Sequence, residues 1–183
     1  MKQAAYKGVP EALAYMIARL ETGRGGYAAD PGQAAILQRY IDTSADAAFR
    51  LDAALELIKA RLSVAASDAE VSAQYDRLTA LVETGSPEAA QLKADMMHEA
   101  GSTDSATLAA LYAAAAQGGD KRAMRDYAQA LQNSPATMSD GRAWMQKAAD
   151  AGDLKSKILV VDLTAPGALQ ELANIKASSL ACS

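Results

Sequence analysis

The sequence predicts an all-α protein built as a solenoid, with about four to five antiparallel helix pairs stacked in series and a last helix capping the carboxyl end. Three observations predict it. Alanine supplies 44 of the 183 residues, whereas aromatics make up 5%, with one Trp and one Phe. Alanine is the strongest helix former and the smallest side chain that packs a close helix crossing. Strand-like alternation of apolar and polar residues never lasts more than a few positions. Finally, one short pattern recurs with the period of a helix pair.

That pattern is clearest in "KAADAGDLKSK" (147–157) and "AAAAQGGDKRA" (113–123), which share Ala-Ala, a glycine, an aspartate and then a small residue. Taken as break points, Gly8, Ser44, Gly85, Gly119 and Gly152 are separated by 36, 41, 34 and 33 residues. Four residues after each break stands a small side chain: Ala12, Ala48, Ala89, Ala123 and Ser156. Before the breaks, Ile36/Leu37, Arg77/Leu78, Leu111/Tyr112 and Trp144/Met145 lie eight and seven residues back. Tyr40/Ile41, Leu81/Val82, Ala115/Ala116 and Ala148/Ala149 lie four and three back. Steps of three and four return to one helix face, so each unit carries one packing stripe, with Arg77 its exception.

The elements follow in order. First helices are expected at 10–21, 46–63, 87–99, 120–131 and 153–163, each interrupted by a turn at 22–32, 63–68, 100–105, 132–141 and 164–167. A second helix then runs to the next break. Asp30 before Pro31, Ser86 before Pro87, and Ser139 or Asp140 are the start signals. Gly85, Gly101, Gly119 and Gly152 are the stops. The units of this single domain run 1–8 (partial), 9–44, 45–85, 86–119, 120–152 and 153–181. The last includes "GALQELANIKASSLA" as a capping helix that turns Leu169, Leu172, Ala173 and Lys176 to one stripe, flanked by Ile175 and Leu180. Because the chain starts inside a unit, it reads as a piece of a longer protein.

Net charge is -4 and the isoelectric point about 5.0, with the two signs interspersed. No basic stripe is present to hold phosphates, which argues against nucleic acid. No apolar run approaches the roughly 18 to 20 residues of a membrane span. Cys182 is the sole cysteine, which leaves no internal disulfide or thiolate cluster.

"GRAWMQKAADAGD" (141–153) resembles the second helix of a Sel1-like repeat. "ARLETGRGGYAADPGQAAILQRYIDTSADAA" (18–48) resembles the other half, with Gly23-Arg24-Gly25 as the Gly-x-Gly turn. The spacing is also that of the related tetratricopeptide repeat. The resemblance spans about 8–163 and departs from the pattern at 48–78, which lacks the Gly-x-Gly turn. It implies a right-handed superhelix whose first helices line a concave groove, and interaction scaffolds as the function. Family members include envelope lipoprotein scaffolds of the alginate-export type. A periplasmic or outer-membrane-associated place, with a lipid anchor upstream, is therefore implied ahead of a cytoplasmic one.

Chemistry-bearing residues are few. His98 is the single histidine and has only Asp95 and Glu99 near it, too little for a metal or an activated nucleophile, so it is expected at a helix end. The glycines at 23, 25 and 26 lack the following Lys-Ser/Thr of a phosphate loop and read as a turn. Trp144 and Met96/Met97 read as packing. No catalytic residue, metal, cofactor or small-molecule substrate is expected. The partner expected is a protein or an extended peptide. The concave-face candidates are Tyr15, Arg19, Arg50, Lys93, Met97, Arg125 and Tyr127, because Tyr and Arg concentrate binding energy at interfaces. The expected function is a non-catalytic scaffold of a cell-envelope, exopolysaccharide-secretion assembly. The alternatives are a cytoplasmic or periplasmic regulatory peptide adaptor, or an accessory domain of a helical enzyme.

Overall fold

The computed structural model describes residues 4–5, 7–161 and 167–180; for 169, 171 and 178–180 it describes the backbone alone. Among the described residues there are ten helices and no strand. They are α1 (Pro10–Thr22), α2 (Pro31–Asp42), α3 (Ala47–Leu62), α4 (Asp68–Glu83), α5 (Pro87–Glu99), α6 (Ser105–Gln117), α7 (Lys121–Gln132), α8 (Met138–Asp150), α9 (Leu154–Val160) and α10 (Ala168–Leu180). The chain divides into two compact units, Met1–Leu81 and Val82–Ser183.

In the first unit α1 is the centre. Ala12, Leu13, Ala14, Met16, Ile17, Ala18 and Leu20 are all buried, so nearly its whole circumference is covered. It packs chiefly on α3, through Ala53 and Leu57, and on α2, through Ala34 and Ile41. Pro10 at the first helical turn supplies a preset φ where no N–H is needed.

Two expectations for this unit are corrected. Ile36 and Tyr40, expected in the packing stripe, are 70% and 55% exposed, because α2 turns Ala34 and Ile41 to α1 instead. The turn 43–46 is also one residue longer than its counterparts. Asp46 caps α3 by accepting from the Ala48 and Phe49 N–H groups. The position that is small elsewhere is therefore Phe49, and Ala48 is exposed. Phe49 meets Tyr40 edge-on at 6.1 Å between ring centroids.

In the second unit each helix from α5 to α10 packs on the next in sequence. The turns between α6 and α7 and between α8 and α9 are built alike. A glycine takes a left-handed φ, 90° at Gly119 and 92° at Gly152, which side chains bearing a Cβ adopt at a cost of about 1–2 kcal/mol. An aspartate follows and caps: Asp120 Oδ1 accepts from Ala123 N at 2.7 Å, and Asp153 Oδ2 from Ser156 N at 2.8 Å. Ser86, after Gly85, caps α5 in the same manner through Ala89 N. The third residue of each helix, Ala89, Ala123 or Ser156, is then fully buried at 0% exposure. Around Ala123, the residues Ala90, Ala94, Leu111, Tyr112, Ala115 and Ala116 form one apolar cluster.

The contact of α7 with α8 is closest at Gly141, where a Cβ would fall 2.9 Å from the Ala128 carbonyl oxygen. Helix α8 starts at Met138, ahead of the expected Ser139/Asp140 cap, and the Thr137 hydroxyl instead donates to the Leu131 carbonyl at 2.6 Å. Helix α9 stops at Val160 because Val161 is extended, short of the expected 163. In α10 Leu172 and Ile175 are half-buried while Ala173 and Lys176 are exposed, so the packed face is rotated from the one expected. The Leu169 and Leu180 side chains, most of the turn at 164–167, and Cys182 lie outside the described residues.

These turns make a testable contrast. Gly141→Ala drives a methyl into the backbone of α7 and is expected to cost roughly 1–3 kcal/mol. Gly119→Ala meets nothing within 4 Å, so it is expected to carry only backbone strain of about 1–2 kcal/mol. Urea denaturation of each variant measures both; equal stability of Gly141→Ala and the parent would contradict the close crossing.

Candidate functional site

The second unit holds a groove of about 730 Å³ whose lining includes Asp95 and His98 of α5, Leu108 and Tyr112 of α6, Arg122, Arg125, Asp126 and Gln129 of α7, and Lys155 of α9. Helices α5, α7 and α9 are alternate helices of the second unit, and the groove runs across all three together with α6. Its apolar floor is Leu108, Tyr112 and Ala130.

A ladder of charges crosses it. Gln91 Nε2 donates to Asp95 Oδ1 at 2.8 Å, and Asp95 Oδ2 pairs with Arg122 Nη2 at 3.1 Å. Arg122 Nε stands 3.6 Å from Asp126 Oδ2, whose other oxygen accepts from Arg125 Nη2 at 3.3 Å. Arg125 Nη1 completes the run by donating to Asp153 Oδ1 at 2.7 Å. Asp153 Oδ2 is already taken by the Ser156 N–H and hydroxyl. One carboxylate thus caps α9 and ties it to α7.

Burial splits this ladder into two functions. The Arg125 and Asp153 side chains are each 11% exposed, whereas Arg122 is 58% exposed. A paired, hydrogen-bonded ion couple removed from water holds structure, and breaking it strands a charge. An exposed pair contributes about 0–1 kcal/mol and can trade its partner for a ligand. Burial pushes the Asp126 carboxyl above its ordinary 3.8, the like charge of Asp95 adds to this, and Arg125 and Arg122 pull against it. Burial also pushes the Tyr112 hydroxyl above 10.0, helped by the negative charges of Asp126 and Asp95. Asp153 goes the other way. Burial raises it, but the Ser156 bonds and Arg125 outweigh that and hold it below 3.8.

Of the seven candidates read from the sequence, Arg125 alone lines this groove. Tyr127 packs edge-on against Trp144, ring centroids 5.4 Å apart, and Met97 packs against the same apolar cluster. Lys93 is half-buried on α5. The other three belong to the first unit. Arg19 lies over the Tyr15 ring at 3.4 Å, with its Nε and Nη1 buried and without a hydrogen-bond partner. A Cβ at Gly25 would sit 2.7 Å from that Nε, so the glycine turn makes room for the stacked guanidinium. Tyr15 in turn meets Tyr27 edge-on at 6.2 Å. Arg50 Nη1 donates to the Ser44 carbonyl and closes the lengthened turn.

His98 stands in the last turn of α5, exposed, as expected of a helix-end residue. With Asp95 and Ser105 it lines one groove, a set of types that invites a nucleophile reading. The geometry does not assemble it: among the described residues His98 bonds to neither, and Asp95 is occupied by Arg122 and Gln91. Also among the described residues, no group of three His, Cys, Asp or Glu is placed to hold a metal, and no helix is long and apolar enough to cross a membrane. Sequence reading missed Arg122, Gln129 and Lys155. The signal available for Arg122 was its place four residues before Asp126 on α7.

No family model, curated protein or solved structure matches the chain.

The ladder yields a pH test. Asp153 has a folded value below its unfolded one, so its stabilisation is present above about 3.8 and is lost as pH falls through the lower folded value. Asp153→Asn is expected to lose roughly 1–2 kcal/mol at neutral pH, with the gap to the parent closing below 3.8. Arg122→Ala is expected to change stability by under about 1 kcal/mol. Thermal denaturation from pH 7 to below 3.8 separates the two; a pH-independent gap for Asp153→Asn would contradict the assignment.

Proposed function

We propose that the chain is a non-catalytic interaction scaffold, a Sel1-like, tetratricopeptide-like α-solenoid that binds an extended segment of a partner protein along the groove of its second unit. The observation that supports this most is that α5, α7 and α9, alternate helices of the second unit, all line one groove. Their charged and amide groups are spread along its length and do not converge on a reacting centre. Stacked repeats offer such extended surfaces in place of one enclosed pocket. The floor of Leu108, Tyr112 and Ala130 gives a bound segment apolar area, and Arg122, His98, Gln129 and Lys155 give it polar contacts. Placement in a bacterial cell-envelope assembly of the exopolysaccharide-secretion kind rests on the repeat resemblance alone.

Arg122 and Lys155 are both exposed, so changing them tests recognition while the buried Arg125–Asp153 pair stays in place. Affinity capture would compare the parent, Arg122→Glu/Lys155→Glu, and an outer control, Arg39→Glu. A partner held by the parent and the control, and weakened roughly tenfold or more by the double variant, is the expected result. A partner retained equally by all three would remove the groove from the account.

A further inference from the structure

The first unit holds a second polar cavity, of about 210 Å³, lined by Glu21, Arg24, Arg61, Glu70, Gln74 and Arg77 among others. Three guanidinium groups face two carboxylates there, and both carboxylates are occupied. Glu21 takes Arg61 through two bonds, Nε to Oε2 at 3.0 Å and Nη2 to Oε1 at 2.7 Å. Glu70 Oε2 accepts from the Ala66 N–H and pairs with Arg24 at 3.4 Å, while Arg24 also donates to the Val64 carbonyl. The Ala66 bond is the largest of the effects that hold the Glu70 carboxyl below its ordinary value.

One positive charge is left over. Among the described residues Arg77 Nη1 has only the Gln74 Oε1 amide oxygen, at 3.2 Å, and no carboxylate. Gln74 is 6% exposed, and its single hydrogen bond among the described residues runs through Oε1, which leaves its Nε2 donor unspent at the cavity wall. An unpaired guanidinium fork beside a buried, half-satisfied amide is a donor set seeking a planar acceptor.

We propose that this cavity binds a single carboxylate group, received by Arg77 and the Gln74 amide. Its volume lies below the roughly 300–1,000 Å³ of pockets that hold whole small molecules, which suits one small group. Its charge excludes a dianion: one guanidinium is free, and Glu21 and Glu70 line the same wall. The group is therefore a monoanionic carboxylate of side-chain size. This inference stands apart from the groove of the second unit and does not rest on it.

The test titrates the ¹⁵N-labelled chain and follows the Arg77 Nε–H and Gln74 side-chain amide signals. The probes are sodium acetate, sodium phosphate and sodium chloride at matched ionic strength, together with acetyl-Ala-Glu-Ala-amide and its Gln counterpart. Acetate is expected to shift both signals saturably, more tightly than phosphate or chloride. In Arg77→Gln, an exposed change that leaves the fold intact, affinity read from the Gln74 signals is expected to fall roughly tenfold or more. Arg77→Lys, a point charge without the fork, is expected to fall between. A response to acetate and to the Glu peptide identifies a protein-borne carboxylate, and a response to acetate alone a free one; both support the site. No response to acetate, an equal response to chloride, tighter phosphate binding, or an unchanged response in Arg77→Gln would overturn it.

Discussion

The second unit depends on one packing constraint: the third residue of α7 and of α9 has to be small enough for the helix before it, α6 or α8, to lie against it. Ala123 and Ser156 hold that place at 0% exposure, and Ala89, third in α5, is buried as deeply. All three sites follow a glycine in a left-handed turn and a Ser or Asp that caps the helix, so one five-residue device reverses the chain, starts the helix and supplies the buried small residue. Ser156 shows how tightly the device is used. Its hydroxyl is satisfied by the same Asp153 oxygen that caps its N–H, which lets a polar side chain occupy a site with no access to water.

The groove follows from that device. Because Asp153 is the cap, its second oxygen faces α7, and Arg125 is drawn to it. Arg125 then positions Asp126, and the ladder continues through Arg122, its most exposed member, to Asp95. The buried Arg125–Asp153 pair is structural, and under the proposed function exposed Arg122 is the member that meets a partner. The same reasoning separates Arg19, Arg50 and Arg61, each tied to a ring, a carbonyl or a carboxylate, from Arg77, which has only an amide.

Helix type and most helix boundaries were legible in the sequence, because capping residues and alanine periodicity act locally. The break at Ser44 was misplaced for a local reason too. Without a glycine the turn takes one more residue, the cap moves to Asp46, and Phe49 enters where Ala48 was expected. The exposure of Ile36 and Tyr40 was not legible, since it depends on which face of α2 meets α1. The candidate site was less legible still. Arg125 was found by residue type, but Arg122, Gln129 and Lys155 become neighbours only once α7 and α9 are packed side by side, and the stacking of Arg19 on Tyr15 requires the fold of the 23–30 turn.

The central claim is that recognition runs along α5, α7 and α9. Amide hydrogen exchange of the chain with and without its captured partner tests it most directly. The account predicts slowed exchange in α5, in the first turns of α7 and α9, and in α6 at Leu108–Tyr112, with the outer residues of α8 unchanged. Protection confined to α8, or to the exposed face of α2 around Ile36 and Tyr40, would contradict it.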